Sequence, residues 1–300
     1  RRMKYIDRLH AAMDRCQSSA MVGLDPRLDH LPEPFREQAT GSTSDAAKAL
    51  IGFHRALIDI LAGKIAVIKP QSAFFEQLGA RGFAAMADAC SYAKEKGLLV
   101  LMDAKRGDIG STSEAYADTF LGGGYQNAFP KCDALTVNPY LGLDACEPFL
   151  EYAQKHNAGL YFLVKTSNPG AVSFQNHGTP PLSEVIAAQV AEWSSRDMGE
   201  KGWSNIGAVV GATRANELGS FRELMPNTPL LLPGFGFQGG TADGLSCAFD
   251  HNNHGAVVNS SRGILWAHER PDLEHLAGWE DKTAFAVSEM IEQLSLACKK

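Results

Sequence analysis

The sequence predicts an α/β protein of the (β/α)8 TIM barrel class, and three observations carry that expectation. Eight short apolar runs recur along the chain, each ending in polar residues or glycine. They are continuous rather than alternating, as expected of parallel strands covered on both faces. Segments of helical periodicity separate most of them. Strand–helix repeated eight times suits a closed barrel, whereas a doubly wound sheet more often has five or six strands. A length of 300 residues fits one such barrel, which commonly runs to about 250 residues or more. No linker rich in Gly, Ser or Pro and no low-complexity segment divides the chain. Residues 1–300 are therefore expected to form a single barrel domain with an N-terminal helix.

Each element has its own signal. The opening "RRMKYIDRLHAAMDRCQSS" places Ile6, Leu9 and Met13 on one helical face and lacks the apolar centre of a signal peptide. The first run, "SAMVGLDPR", leads into a long loop expected over 26–48. The second, "KIAVIKPQ", is followed by a helix with Phe83, Met86, Ala87, Cys90 and Ala93 at helical spacing and Gly97 as its stop. The third is "GLLVLMDAKRGD". The glycines of "LGGGY" that follow lack the G-x-G-x-x-G spacing of a dinucleotide site and read as a loop. "DALTVNPY" and "GLYFLVKTSNPG" come next, then a second long loop over 168–182 and the helix of "TPPLSEVIAAQVAEWSSRDMG". "IGAVVGATR", "PLLLPGFG" and "GAVVNSSRG" complete the set. Long loops in compact domains tend to be lids or binding loops.

Composition narrows the function class. With 45% apolar and 21% charged residues the chain reads as a soluble globular protein. A net charge of −6 argues against a basic nucleic-acid-binding face, though not against a local anion pocket. The apolar runs fall far short of the ~20 residues needed to cross a bilayer. Six cysteines, at 16, 90, 132, 146, 247 and 298, show no C-x-x-C pair and suggest reduced thiols in a cytoplasmic protein.

A barrel carries its active site at the carboxyl ends of its strands, so those ends list the expected contents. They are Asp25; Lys69; Asp103, Lys105 and Asp108; Asn138; Lys165, Thr166 and Ser167; Thr213 and Arg214; Gly234, Gly236 and Gln238; and Ser260, Ser261 and Arg262. "PGFGFQGG" and "NSSRG" follow strands seven and eight, where barrel phosphate sites often lie. Glycine amides can approach an anion closely, and the Arg262 fork suits phosphate oxygens. The third strand ends in "LMDAKRGDIGST", a D-x-K-R-x-D arrangement. Asp103 and Lys105 are two apart, hence on one face of a continuing strand, with Lys69 beside them. Opposite charges about 4 Å apart attract by ~4 kcal/mol at an effective dielectric near 20, enough to keep such groups ionised when partly dry.

These residues resemble a known family. "DAKRGDIGST" is similar to the signature of the orotidine 5′-monophosphate decarboxylases. "GLDPR", "IKPQSAFFE", "VKTSNPGA", "PGFGFQGG" and "NSSRG" resemble its other landmarks, in order, over residues 19–266. The spellings resemble the longer bacterial-type branch, also found in some protozoa. The resemblance implies conversion of orotidine 5′-monophosphate to uridine 5′-monophosphate and CO2, the last step of de novo pyrimidine biosynthesis, without metal or organic cofactor. It implies an alternating array of Lys69, Asp103, Lys105 and Asp108, with Lys105 protonating C6. Asp108, Ile109 and Thr112 are implied to reach the neighbouring subunit's site, so that a homodimer shares its active sites. Asp25 and Lys69 are implied to hold the ribose hydroxyls with the neighbour's Thr112, and Ser167 to read the pyrimidine edge. Gln238 and Arg262 are implied to bind the phosphate, with amides near Gly236 and Ser261. No tyrosine stands in "PGFGFQGG", where some members add a phosphate contact; Phe235 and Phe237 cannot donate it.

Other readings are distinguishable. The metal-dependent sugar-phosphate decarboxylases and hexulose-phosphate synthases share D-x-K-x-x-D but place an acid where Lys69 stands, and an ammonium there repels a metal. An aldolase would use Lys165 as a Schiff-base nucleophile. A silent nucleotide-binding barrel would bind without turnover. His251 to His254 read as a loop on the wrong face of the barrel for catalysis, His54 and Glu147 as surface or packing residues, and Trp193 and Trp203 as core or interface aromatics.

Overall fold

Eight parallel strands close a barrel in chain order, with β8 returning to pair with β1 through Ala20↔Val258 and Met21↔Asn259. They are β1 (Ala20–Leu24), β2 (Val67–Pro70), β3 (Leu99–Arg106), β4 (Ala134–Val137), β5 (Gly159–Lys165), β6 (Ile206–Val210), β7 (Leu230–Leu232) and β8 (Ala256–Ser260). The structure, a computed structural model, describes residues 3–211, 215–234 and 244–298. All eight apolar runs of the sequence became strands. Their near-continuous burial follows from being covered inside by one another and outside by helices.

Helices fill the connections. In chain order they are α1 (Tyr5–Cys16), α2 (Phe35–Ala39), α3 (Thr43–Leu61), α4 (Ser72–Glu76), α5 (Gly79–Glu95), α6 (Gly110–Ala117), α7 (Leu143–His156), α8 (Val172–Gln175), α9 (Leu182–Arg196), α10 (Ala215–Leu224), α11 (Arg262–Leu265) and α12 (Trp279–Cys298). The expected face of α5 is confirmed for Met86, Cys90 and Ala93, which are buried, while Phe83 and Ala87 are only partly covered. Ile6, Leu9 and Met13 of α1 pack with Met21, Val67, Leu101, Ala134, Tyr161, Val209, Leu231 and Val257, one residue from each strand. Helix α1 thus plugs the amino-terminal end of the barrel, opposite the mouth.

Two expectations need correction. Residues 26–48 are not one loop: they hold a 3-10 turn at Leu28–His30, helix α2 and the start of α3. The missed signal is a capping box, in which the Ser42 hydroxyl accepts from Asp45 N at 3.2 Å and Asp45 Oδ2 accepts from Ser42 N at 3.0 Å. Residues 168–182 likewise contain a 3-10 turn and α8. Thr166 N donates to Gln175 Oε1 at 2.8 Å, and Gln175 Nε2 donates to Thr166 Oγ1 at 2.6 Å, latching that segment to the end of β5. The "LGGGY" stretch continues α6 as a wide helical turn over Asp118–Gly122 and a 3-10 turn at Tyr125–Asn127.

The remaining residues fall where their chemistry suggests. His54 is buried between Phe53 and Phe75, and Trp193 and Trp203 are buried. Glu147 is exposed on α7. His254 precedes β8, stacks on His10 of α1 at 4.0 Å and bonds Asp14 Oδ1 at 2.7 Å, on the amino-terminal side. Among the described residues no helix is long and apolar enough to cross a membrane.

Candidate active site

The mouth of the barrel is organised around one carboxylate. Asp103 on β3 is buried, and each of its oxygens meets an ammonium. Lys69 Nζ of β2 donates to Oδ2 at 2.7 Å, and Lys105 Nζ donates to Oδ1 at 2.6 Å. Burial alone would push the Asp103 carboxyl up, but Lys69 and Lys105 outweigh it and hold it well below the usual carboxylate range. Burial would likewise push Lys69 down, yet the carboxylates of Asp103 and Asp25 hold it above its ordinary value. The two lysines differ in access: the Lys105 side chain is 42% exposed and Lys69 only 5%. Lys105 is therefore the solvent-accessible ammonium of this pair.

Simple strand alternation does not bring Asp103 and Lys105 together. The β3–β4 register shifts between Met102↔Leu135 and Arg106↔Val137, so three residues of β3 face Thr136 alone. Within this bulge Lys105 takes a left-handed backbone, φ 47°, which a side-chain-bearing residue rarely adopts. Arg106 leaves the array altogether. Its guanidinium pairs with Glu76 and lies over Tyr116 at 5.4 Å, buttressing the turn from outside.

Asp25 stands just past β1, beside Asn259 and Ser261 from the β8 end. Gly23 makes room for this trio: a Cβ there would lie 2.0 Å from Ser261 Oγ, 2.9 Å from Asp25 Oδ1 and 3.1 Å from Asn259 Oδ1. Asp25 Oδ1 and Asn259 Oδ1 are buried acceptors without a donor among the described residues, while Asn259 Nδ2 donates to Ser261 Oγ at 3.2 Å. Two unsatisfied acceptors side by side suit a ligand that brings hydroxyl donors. Arg262 opens α11, exposed, 5.8 Å from the Trp266 ring; Arg27 lies 5.9 Å from the same ring.

Ser167 lies two residues past β5 and is half-buried. Lys165 is buried, bonded to Asn176 and 3.6 Å from Glu217. Asp108 is outside the Lys69–Asp103–Lys105 cluster: its Oδ1 accepts from Ile109 N at 2.8 Å. Ile109 and Thr112 are exposed, and Tyr140, Leu141 and Leu143 expose apolar surface after β4. Thr213, Arg214, Phe235, Gly236, Phe237 and Gln238 lie outside the described residues.

Sequence reading missed three side chains at this site. Gln71 Nε2 donates to Asp103 Oδ2 at 3.0 Å, the Thr136 hydroxyl donates to Asp103 Oδ1 at 3.0 Å, and Asn259 lies beside Asp25. Gln71, in the quoted "IKPQ", was legible as a strand-end residue. Thr136 and Asn259 sit within apolar runs and gave no signal. Together the groups offer an ionised carboxylate, an accessible ammonium held on it, and acceptors for hydroxyls a short way off.

The chain is similar to known proteins over nearly its whole length. Residues 28–272 match the profile of the "Orotidine 5′-phosphate decarboxylase / HUMPS family". An orotidine 5′-phosphate decarboxylase of Rhodopirellula baltica is 44% identical over 299 residues, covering 97% of this chain and 99% of that protein. One from Caldicellulosiruptor saccharolyticus is 38% identical over 277 residues, covering 89% and 91%. The solved structure of Leishmania donovani OMP decarboxylase superposes with a TM-score of 0.75 at 29% identity, covering 99% of this chain and 100% of that one.

Proposed function

The chain belongs to the orotidine 5′-phosphate decarboxylase / HUMPS family, and from that premise we propose how its side chains perform the reaction. The reaction is the decarboxylation of orotidine 5′-monophosphate to uridine 5′-monophosphate and CO2, in pyrimidine biosynthesis. The single observation that carries the mechanistic reading is the buried Asp103 carboxylate clamped between the Lys69 and Lys105 ammoniums.

In this reading the C6–carboxylate bond breaks heterolytically, CO2 departs, and the electron pair stays on C6. Lys105 stabilises that charge and delivers a proton to C6, becoming an amine that solvent reprotonates. Asp103 aims the Lys105 side chain, and Lys69 helps keep Asp103 ionised. Asp25, with Lys69 beside it, accepts ribose hydroxyls, Ser167 reads the pyrimidine edge, and Arg262 binds the phosphate. Gln238 and the amides near Gly236 and Ser261 are assigned to the phosphate by resemblance. Binding energy from that remote group can stabilise closure over the reacting carbon.

The donor set speaks for the metal-free branch of the family. A divalent cation seeks oxygen ligands, and here both oxygens of Asp103 already face ammonium groups. The engagement of Lys165 by Asn176 and Glu217 favours a structural lysine over a Schiff-base nucleophile.

We further read the functional unit as a homodimer. Asp108, Ile109 and Thr112 lie outside their own chain's cluster, and exposed Ile109, Tyr140, Leu141 and Leu143 offer apolar surface for a second copy. We also read residues 1–300 as one barrel domain, working in the cytoplasm. The test of the mechanism is Lys105→Ala, assayed by loss of orotidylate absorbance. Turnover is expected to fall by about 10^3-fold or more. Parent-like turnover would remove Lys105 as proton donor, and binding of uridine 5′-monophosphate without CO2 release by the parent would favour a silent barrel.

A further inference from the structure

We propose that Thr136 is a positioning residue for this reaction, its buried hydroxyl fixing together the backbone that bears Lys105 and the carboxylate that holds the Lys105 ammonium. Thr136 Oγ1 accepts from Lys105 N at 2.9 Å and donates to Asp103 Oδ1 at 3.0 Å. The Met102 carbonyl is farther, at 3.5 Å, so the hydroxyl proton goes to the carboxylate. Thr136 is 1% exposed, which keeps its hydroxyl away from bulk solvent.

The β3 bulge makes that oxygen necessary. Across residues 103–105 the β3–β4 ladder is broken, and pairing resumes only with Arg106↔Val137 and the bond from Asn138 N to Arg106 O at 2.8 Å. The Lys105 N–H therefore has no carbonyl partner on β4 and takes the Thr136 hydroxyl instead. A left-handed lysine backbone costs on the order of 1–3 kcal/mol and persists only where its surroundings over-determine it. Here one hydroxyl meets the strained backbone and the acceptor of the same residue's side chain. Two ends of Lys105, its amide and its ammonium, are referred to one rigid point on β4. A bare bulge would leave Lys105 free to relax toward a right-handed or extended backbone, turning Nζ off Asp103.

This inference rests on Lys105 as proton donor. The experiment measures kcat and KM for orotidine 5′-monophosphate in Thr136→Val, Thr136→Ala and Thr136→Ser, beside Lys105→Ala. Val keeps the volume without the hydroxyl, Ala removes the hydroxyl without crowding, and Ser keeps the hydroxyl. Val and Ala are expected to lower kcat about 10- to 100-fold with KM within about twofold, while Ser stays within about threefold of the parent. Should Val not fold, Ala reads the same loss. Parent-like kcat in Val or Ala, a Ser variant as impaired as Val, or a loss carried by KM would each overturn the proposal. If Lys105→Ala is inactive while Thr136→Val is fully active, only the role of Thr136 falls. If Lys105→Ala keeps parent kcat, the underlying reading falls with it.

Discussion

At Asp103 burial and charge pull in opposite directions, and charge wins because two ammoniums sit within 2.7 Å. Its folded pKa is depressed, so it stabilises the fold above its unfolded value and loses that contribution as pH falls through the folded value. Lys69 is the mirror case, raised in the fold, its contribution lost only as pH rises through that raised value. His54 shows the opposite balance, in which burial outweighs the opposing influence of the Leu50 backbone and the Asp88 charge. Burial lowers it from 6.5 to about 4, so it folds neutral, and the unfolded chain takes up the proton first as pH drops. Stability is therefore lost on acidification across that interval. His54→Leu, compared with the parent by urea unfolding at pH 7 and 4.5, should gain about 2 kcal/mol relative to the parent on going to the lower pH. An unchanged difference at both pH values would mean the ring is not held neutral.

At the scale of elements, the site depends on two departures from regular strands. The bulge of β3 folds Lys105 back onto Asp103, and the bare Cα of Gly23 on β1 lets the ends of β1 and β8 bring Asp25, Asn259 and Ser261 together. Gly23→Ala puts a methyl into the space of the Ser261 hydroxyl. These groups are assigned to ribose and phosphate rather than to C6, so the loss should appear in binding. KM is expected to rise roughly tenfold, the equivalent of one misplaced hydrogen bond, with kcat changed less. Steady-state kinetics decide it, and a variant with unaltered KM would remove this trio from substrate binding.

For the whole molecule, barrel closure separates two tasks. Helix α1 and the inward layer it covers seal one end, and the Lys69–Asp103–Lys105 cluster lies at the other, where the strands' carboxyl ends converge. Asp108 is the exception, since its own chain does not bring it to the cluster. Mixing inactive Asp108→Ala and Lys105→Ala proteins in equal amounts should regenerate up to about a quarter of parent activity if sites are shared, because about half the dimers are then mixed and each of these holds one intact site of two. Absence of recovery after demonstrated subunit exchange would refute sharing.

The barrel was legible because its signal is local: eight continuous apolar runs, separated by helical spacing, admit few other architectures. The site's charged residues were legible for a related reason, since a barrel fixes where strand ends go, and "DAKRGD" stands at one. Tertiary structure alone decided how those charges pair. The register shift opposite Thr136, the left-handed Lys105, the departure of Arg106 to Glu76 and the space at Gly23 all depend on the neighbouring strand. A residue's own sequence context carries hydrophobic period and turn chemistry, but not the hydrogen-bond partner that a strand distant in sequence presents to it.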